Sequence, residues 1–161
     1  NDLWRYKVNE NTWTWMSGVN PGVALGNYGE KRKESVENYP GTRADAIGFY
    51  DNSTQELWLF GGAITDTIGY LERTFNDLWR YRMNDSTWTW ISGSDTANQR
   101  GVYGEKGNAS TENVPGSRRG SVGWYNSLTK EFWLFGGYGH GGAKMQDSEI
   151  LVQLSNLIQQ I

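Results

Sequence analysis

The sequence predicts an all-β fold assembled from a repeated antiparallel unit, and three observations carry that prediction. The run Glu56-Leu57-Trp58-Leu59-Phe60-Gly61-Gly62 returns 75 residues later as Glu131-Phe132-Trp133-Leu134-Phe135-Gly136-Gly137. Residues 1–62 overlay 76–137 without a gap, with 33 identities in 62 positions. A fixed period of this kind marks stacked supersecondary units. Finally, 9 Trp and 21 Gly sit in an otherwise polar chain, so core material is concentrated in a few aromatics and glycine punctuates many short elements. That balance belongs to the all-β class.

The elements follow in order. Asn1-Asp2-Leu3-Trp4-Arg5-Tyr6 opens the chain and recurs as Asn76-Asp77-Leu78-Trp79-Arg80-Tyr81. Thr12-Trp13-Thr14-Trp15 recurs as Thr87-Trp88-Thr89-Trp90, followed each time by an apolar residue and Ser-Gly. Tyr28-Gly29-Glu30-Lys31 matches Tyr103-Gly104-Glu105-Lys106, and Pro40-Gly41-Thr42-Arg43 matches Pro115-Gly116-Ser117-Arg118. Within one period four strands are predicted, at about 43–50, 56–61, 76–83 and 87–92. The apolar run 57–60 is too short for a buried helix, and Gly61-Gly62 stops it. Asp51-Asn52-Ser53-Thr54 and Asn84-Asp85-Ser86 supply tight-turn chemistry between neighbouring strands. Because strand side chains alternate, Trp79 and Tyr81 share one face and Leu78 and Arg80 the other. Trp88 and Trp90 likewise share a face, with Thr87 and Thr89 opposite.

A four-stranded antiparallel unit with aromatics on its faces, recurring every 75 residues, is the pattern of a propeller blade. The inventory is half a blade at 1–18, a full blade at 43–93 and half a blade at 118–137, about two blades' worth. Propellers typically need at least four blades, so further blades are expected from a longer chain or from other chains. Long segments at 19–39 and 94–114 join one blade to the next and should decorate one face of the disc. Connections longer than about 12–15 residues are usually functional or disordered.

After Gly137 the repeat fails: where it would place Asn-Asp-Leu-Trp, the chain reads Leu151-Val152-Gln153-Leu154. Residues 138–161 read as a glycine-rich loop and a docking tail. Ile150, Leu154, Leu157 and Ile161 fall at heptad spacing, which predicts an amphipathic C-terminal helix capped by Asp147 or Ser148. The alternative is a degenerate third strand over Glu149–Leu154.

The order Pro-Gly-x-Arg, Trp-Leu-Phe-Gly-Gly, Asn-Asp-Leu-Trp-Arg-Tyr, Thr-Trp-Thr-Trp resembles the kelch repeat. It is close to the long-looped form of β-propellers similar to the galactose oxidase central domain, and the resemblance covers residues 1 to about 137. The resemblance implies that Gly61, Gly62, Gly136 and Gly137 end second strands. It also implies that Trp79, Tyr81, Trp88 and Trp90 pack between blades. The period of 75 exceeds the family's usual ~50 residues, with the excess in the blade-joining loops. The resemblance stops short of oxidase chemistry. That copper site uses a Tyr crosslinked to Cys and two His ligands, and this chain has no Cys and one His.

Bulk properties narrow the function classes. A net charge of -3 and a pI near 5.2 lack the basic surface that nucleic acid requires. No window approaches the roughly 18 consecutive apolar residues of a membrane-spanning helix. Zero cysteines exclude disulfides, thiolate nucleophiles and Cys-based metal sites. With no initiator Met and no signal-like stretch, the chain reads as a mature or excised segment.

Symmetry separates structural residues from chemical ones, since a catalytic group is needed once. Glu56/Glu131, Arg43/Arg118, Asp2/Asp77 and Glu30/Glu105 all repeat and therefore read as serving the unit. Gly137, Gly139 and Gly142 match a dinucleotide fingerprint in spacing, without the second parallel strand and distal acid it needs. His140, the single histidine, lies in a glycine-rich loop and reads as an exposed bystander. No Gly-x-Ser-x-Gly elbow accompanies it. The sequence thus predicts no catalytic residues, no cofactor and no metal. Asn52, Asn84 and Asn108 head glycosylation sequons in predicted turns or loops, which favours an extracellular or cell-surface setting slightly over the cytoplasm.

The leading expectation is a non-catalytic scaffold for protein–protein interaction or assembly. Its contact loops are centred on Tyr28, Glu30 and Lys31 and on Tyr103, Glu105 and Lys106, with the tail at Ile150, Leu154, Leu157 and Ile161 as a second docking element. Its partners are other proteins or further blades. The alternative is an extracellular carbohydrate-binding module in which Tyr28, Tyr39 and Tyr103 stack on sugar faces. A third expectation is a piece of a propeller oxidase or lyase whose active site lies elsewhere.

Overall fold

A computed structural model describes residues 2–20, 22–65 and 72–142 of the chain. Among these residues the fold is all-β with no helix. The predicted helix or strand carrying Ile150, Leu154, Leu157 and Ile161 lies outside the described residues.

The first hairpin pairs β1 (Asp2–Lys7) with β2 (Thr12–Gly18). Next come β3 (Ile47–Asp51), β4 (Glu56–Phe60), β5 (Ala63–Thr65) and β6 (Glu72–Thr74). They are followed by β7 (Leu78–Arg82) and β8 (Thr87–Ser92), then β9 (Arg118–Arg119), β10 (Val122–Asn126), β11 (Glu131–Phe135) and β12 (Tyr138–Gly139). The one four-stranded sheet runs β3-β4-β7-β8, antiparallel throughout; the others are two-stranded, and none closes on itself.

The four predicted strands of one period are therefore present, in sequence order and in one sheet. Two begin later than predicted. Asp45 takes a left-handed φ of 54°, so Ala44 makes only an isolated bridge to Ala63 and the ladder starts at Ile47. The ladder of β7 starts at Leu78; just before it Asn76 Nδ2 donates to the Pro115 carbonyl at 3.0 Å and Asp77 accepts from Arg43. The short β5–β6 hairpin was not predicted.

The 75-residue repeat is carried into geometry. β1–β2 and β7–β8 share a register irregularity at the same place, Leu3/Trp4 and Leu78/Trp79. The hairpin turns use left-handed residues at equivalent positions, Asn11 with Ser86 and Gln55 with Lys130. The Ala44–Ala63 bridge recurs as the β9–β12 pair Arg119–Tyr138.

The core is the buried cluster Trp79, Tyr81, Trp88 and Trp90, all from β7 and β8. Leu3 and Met16 of the first hairpin, Tyr28 and Tyr39 of the following segment, and Leu57 and Leu59 of β4 pack against it. β8 is buried on both faces, Thr87 and Thr89 included. On the other side the β10–β11 hairpin stacks on the sheet, with the Phe132 ring 5.2 Å from Phe49 and 4.7 Å from Trp58. A polar tie reinforces this: Tyr125 Oη donates to Asp51 Oδ2 at 2.8 Å and Lys130 Nζ to the same oxygen at 3.0 Å.

Candidate functional site

The candidate site is an aromatic face that the chain presents twice, once covered and once open. On the covered copy, the segment 27–39 folds over β7–β8. Tyr28 enters first, its ring 4.8 Å from Trp79 and 5.1 Å from Trp90. Lys31 follows, with Nζ 4.3 Å from the Trp90 ring and donating to the Gly93 carbonyl at 2.9 Å. The backbone then runs along the free edge of β8: Arg32 N donates to Trp90 O at 2.7 Å, and Asn38 Nδ2 to Trp88 O at 3.3 Å. A loop thus protects a sheet edge that would otherwise offer unpaired groups.

Beneath Tyr28 lies a buried ion pair. Arg43 donates to Asp77 through Nη1 at 2.6 Å and Nη2 at 2.8 Å, and to the Gly61 carbonyl at 2.9 Å. The two side chains are 5% and 0% exposed. Tyr28 Oη at 2.6 Å and Trp79 Nε1 at 2.7 Å also donate to Asp77, so the carboxylate accepts a full set of bonds. Burial pushes the Tyr28 phenol well above the usual tyrosine range, and the Asp77 charge adds to it. For Arg43 burial opposes the charged form, but Asp77 outweighs it and the guanidinium is held more firmly protonated.

The open copy has the same parts in the same shapes. Loop 102–114 repeats the backbone bonds of loop 27–39, though Val102 lacks the side-chain bond that Asn27 makes to the Glu37 carbonyl. Val102 and Val114 exchange backbone bonds as Asn27 and Tyr39 do. Asn113 Nδ2 donates to Asn108 O at 3.0 Å, as Asn38 Nδ2 does to Lys33 O at 3.0 Å. Gly104 (φ 58°) matches Gly29 (φ 60°), a conformation where the side chain of Asn113 or Asn38 also leaves no room for a Cβ. Here the loop meets solvent: Tyr103 is 58% exposed. Arg118 repeats the pose of Arg43, donating from Nη1 to the Gly136 carbonyl at 3.0 Å, but its Nη2 reaches only Tyr103 Oη at 3.4 Å. It has no carboxylate partner among the described residues.

The aromatic face of β1–β2 is also open. Trp4, Tyr6, Trp13 and Trp15 are 48%, 41%, 65% and 47% exposed, whereas their repeat mates Trp79, Tyr81, Trp88 and Trp90 are 9% exposed or less. Trp4 Nε1 donates to Asp2 Oδ2 at 2.7 Å, the bond that Trp79 makes to Asp77.

The residues expected at the contact loops divide accordingly. Tyr28 and Lys31 are engaged within the chain, and Glu30 is exposed beside Lys33 at 3.2 Å. Tyr103, Glu105 and Lys106 are exposed, with Glu105 accepting from Asn108 Nδ2 at 2.7 Å. Asn52, Asn84 and Asn108 are exposed, the first two in turns. His140 departs from the expected bystander: it is half-buried, with Nδ1 3.1 Å from Thr74 Oγ1 and its backbone N donating to Ser117 O at 2.7 Å. It therefore ties the chain leaving β12 to β6. No group of three or more potential metal-ligating side chains occurs among the described residues. No protein-family model and no curated protein sequence matches the chain.

Proposed function

We propose that this chain is a non-catalytic scaffold for protein–protein assembly, built from kelch-type propeller blades. The observation that carries the reading is the open aromatic face of β1–β2. Four large aromatics stand exposed in a hairpin whose repeat mate buries the same four. Contiguous exposed apolar surface of that kind marks an interaction site, and Trp and Tyr are the residues that anchor protein interfaces. The blade reading is supported by the 75-residue repeat, the antiparallel order β3-β4-β7-β8 and the stacking of hairpins on both sides of that sheet. Stiff, cross-braced sheets hold the exposed loops in fixed positions, as binding elements require.

Cross-linking mass spectrometry of the protein in its native setting tests this. The expected result is protein cross-links concentrated at Lys7 and Lys106, around β1–β2 and loop 102–114. A carbohydrate-binding role is the competing reading, favoured by the exposure of Tyr103. Saturable binding on a glycan array that is lost in Tyr103→Ala, without protein cross-links at those positions, would replace the scaffold reading with it.

A further inference from the structure

We infer that the open β1–β2 face is the docking site for a second copy of this chain, joined head to tail. The donor is loop 102–114 together with the β10–β11 hairpin. The inference rests on the scaffold reading and commits it to one partner.

The chain already contains this contact once. Hairpin β3–β4 pairs through β4 with β7, loop 27–39 covers the aromatic face of β7–β8, and Arg43 closes on Asp77. Moving every donor part forward by 75 residues gives β10–β11, loop 102–114 and Arg118. The matching acceptor parts, one repeat further on, are supplied by β1–β2 and Asp2 of another copy. Residues 2–6 are identical to 77–81, and 12–15 to 87–90. Residues 103–106 are identical to 28–31. Donor and acceptor thus reproduce much of the surfaces that fit each other inside the chain, although Glu34, which pairs with Arg80 and Arg82, is replaced by Ala109 and the core-packing Tyr39 by Val114.

Four features of the two surfaces agree. β11 pairs only with β10 among the described residues, whereas its mate β4 pairs with both β3 and β7. β1 pairs only with β2, whereas its mate β7 pairs with both β4 and β8. Joining β11 to β1 therefore completes a four-stranded sheet and pairs two edges that are unpaired among the described residues. Loop 102–114 is preformed in the shape of the loop that binds, which lowers the ordering cost of association. Arg118 is posed as Arg43 is and presents its Nη2 where a carboxylate belongs; Asp2 is the repeat mate of the carboxylate Arg43 holds. Finally, a Cβ on Gly136 would meet open space, while one on Gly61 would lie 2.6 Å from the Arg118 carbonyl of the following repeat. Among the described residues nothing fills the space beside Gly136, where an equivalent neighbour would sit. A contact between different surfaces is heterologous, so it propagates into a ring or a filament according to its rotation.

Sedimentation velocity on the whole chain over a concentration series, read beside its Trp emission, tests the inference. The expected result is mass above the monomer that rises with concentration, with a blue shift as Trp4, Trp13 and Trp15 are covered. Arg118→Glu weakens association by roughly thirtyfold or more, and Tyr103→Ala weakens it independently. The double variant Arg118→Glu with Asp2→Arg restores it, because each copy carries both halves of the swapped pair. Far-UV spectra of the variants must match the parent. A folded chain that stays monomeric throughout overturns self-association while leaving the scaffold reading to its cross-linking test. Association unaffected by both single variants also overturns it, by placing the contact elsewhere.

Discussion

Arg43 and Asp77 lie 34 residues apart and meet in a two-pronged ion pair with almost no access to water. The pair joins the entry to the central sheet with the start of β7, and Tyr28 and Trp79 complete the coordination of its carboxylate. Removing one partner leaves a buried charge uncompensated, so Arg43→Met is expected to cost about 3–5 kcal/mol. Arg118→Met, at the repeat mate with no carboxylate beside it, is expected to cost about 1 kcal/mol or less. Urea unfolding of the two variants at dilute concentration makes the comparison. Equal losses would show that burial of the pair is not what stabilises it.

The aromatic repeat gives a second contrast between identical residues. Trp79 is fully buried among Tyr28, Trp88 and the rest of the core, whereas Trp4 is half-exposed and stacks on Trp15, at 6.3 Å. Trp79→Ala is expected to cost about 3–5 kcal/mol, the range for truncating a core aromatic. Trp4→Ala is expected to cost about 1 kcal/mol or less in the monomer. Thermal melts at low concentration, followed in the far-UV, would separate the two.

The strands were legible because their signals are local. Alternating Trp and Tyr in residues 76–83 and the Gly-Gly stop after Phe60 each fit within a few residues, and the repeat states each of them twice. The covered and open copies were not legible. Tyr28-Gly29-Glu30-Lys31 and Tyr103-Gly104-Glu105-Lys106 are the same four letters. Their environments differ because the surface that covers Tyr28 lies 49 residues away, at Asp77. Symmetry did mark Arg43 and Asp77 as structural, but nothing local said that they pair. β5 and β6, three residues each, are too short to show a period. His140 was misjudged because its partner Thr74 is 66 residues back and invisible from its glycine-rich surroundings.

Acid stability should depend on Asp51. Its burial alone would raise the carboxyl's pKa, but bonds from Ser53, Tyr125 and Lys130 outweigh that and hold it well below the usual carboxylate range. A carboxylate depressed by folding stabilises fully above its unfolded value, about 3.9, and the contribution fades as pH falls below that toward the folded value. Asn126, the repeat mate, shows that an amide fits this turn: its Oδ1 accepts from Leu128 N at 3.0 Å. Asp51→Asn is therefore expected to melt lower than the parent at pH 6, with the difference shrinking between pH 4 and pH 2 as the parent's unfolded chain takes up the proton that its folded state resists. A difference that stays constant with pH would assign the effect to packing instead.

The double glycines carry the sharpest test of how the repeats contact one another. Gly61 and Gly136 share a left-handed φ, 65° and 66°, so alanine pays the same backbone penalty at both, on the order of 1 kcal/mol. They differ in their surroundings. A Cβ at residue 61 would lie 2.6 Å from the Arg118 carbonyl, which also accepts the backbone N–H of Gly62 at 2.9 Å. Backbone on both sides leaves no flexible group to move aside, so Gly61→Ala must displace β9 from the sheet it adjoins. Overpacking of this kind adds roughly 1–3 kcal/mol. Gly136→Ala meets nothing within 4 Å among the described residues and should show the backbone penalty alone when the chain is dilute. If copies join head to tail, Gly136→Ala should also weaken association, because the neighbour's backbone then occupies the space that Arg118 occupies beside Gly61. Unfolding midpoints and sedimentation of the same two variants read both effects. A Gly136→Ala chain that associates as well as the parent would separate the packing at Gly61 from any contact between copies.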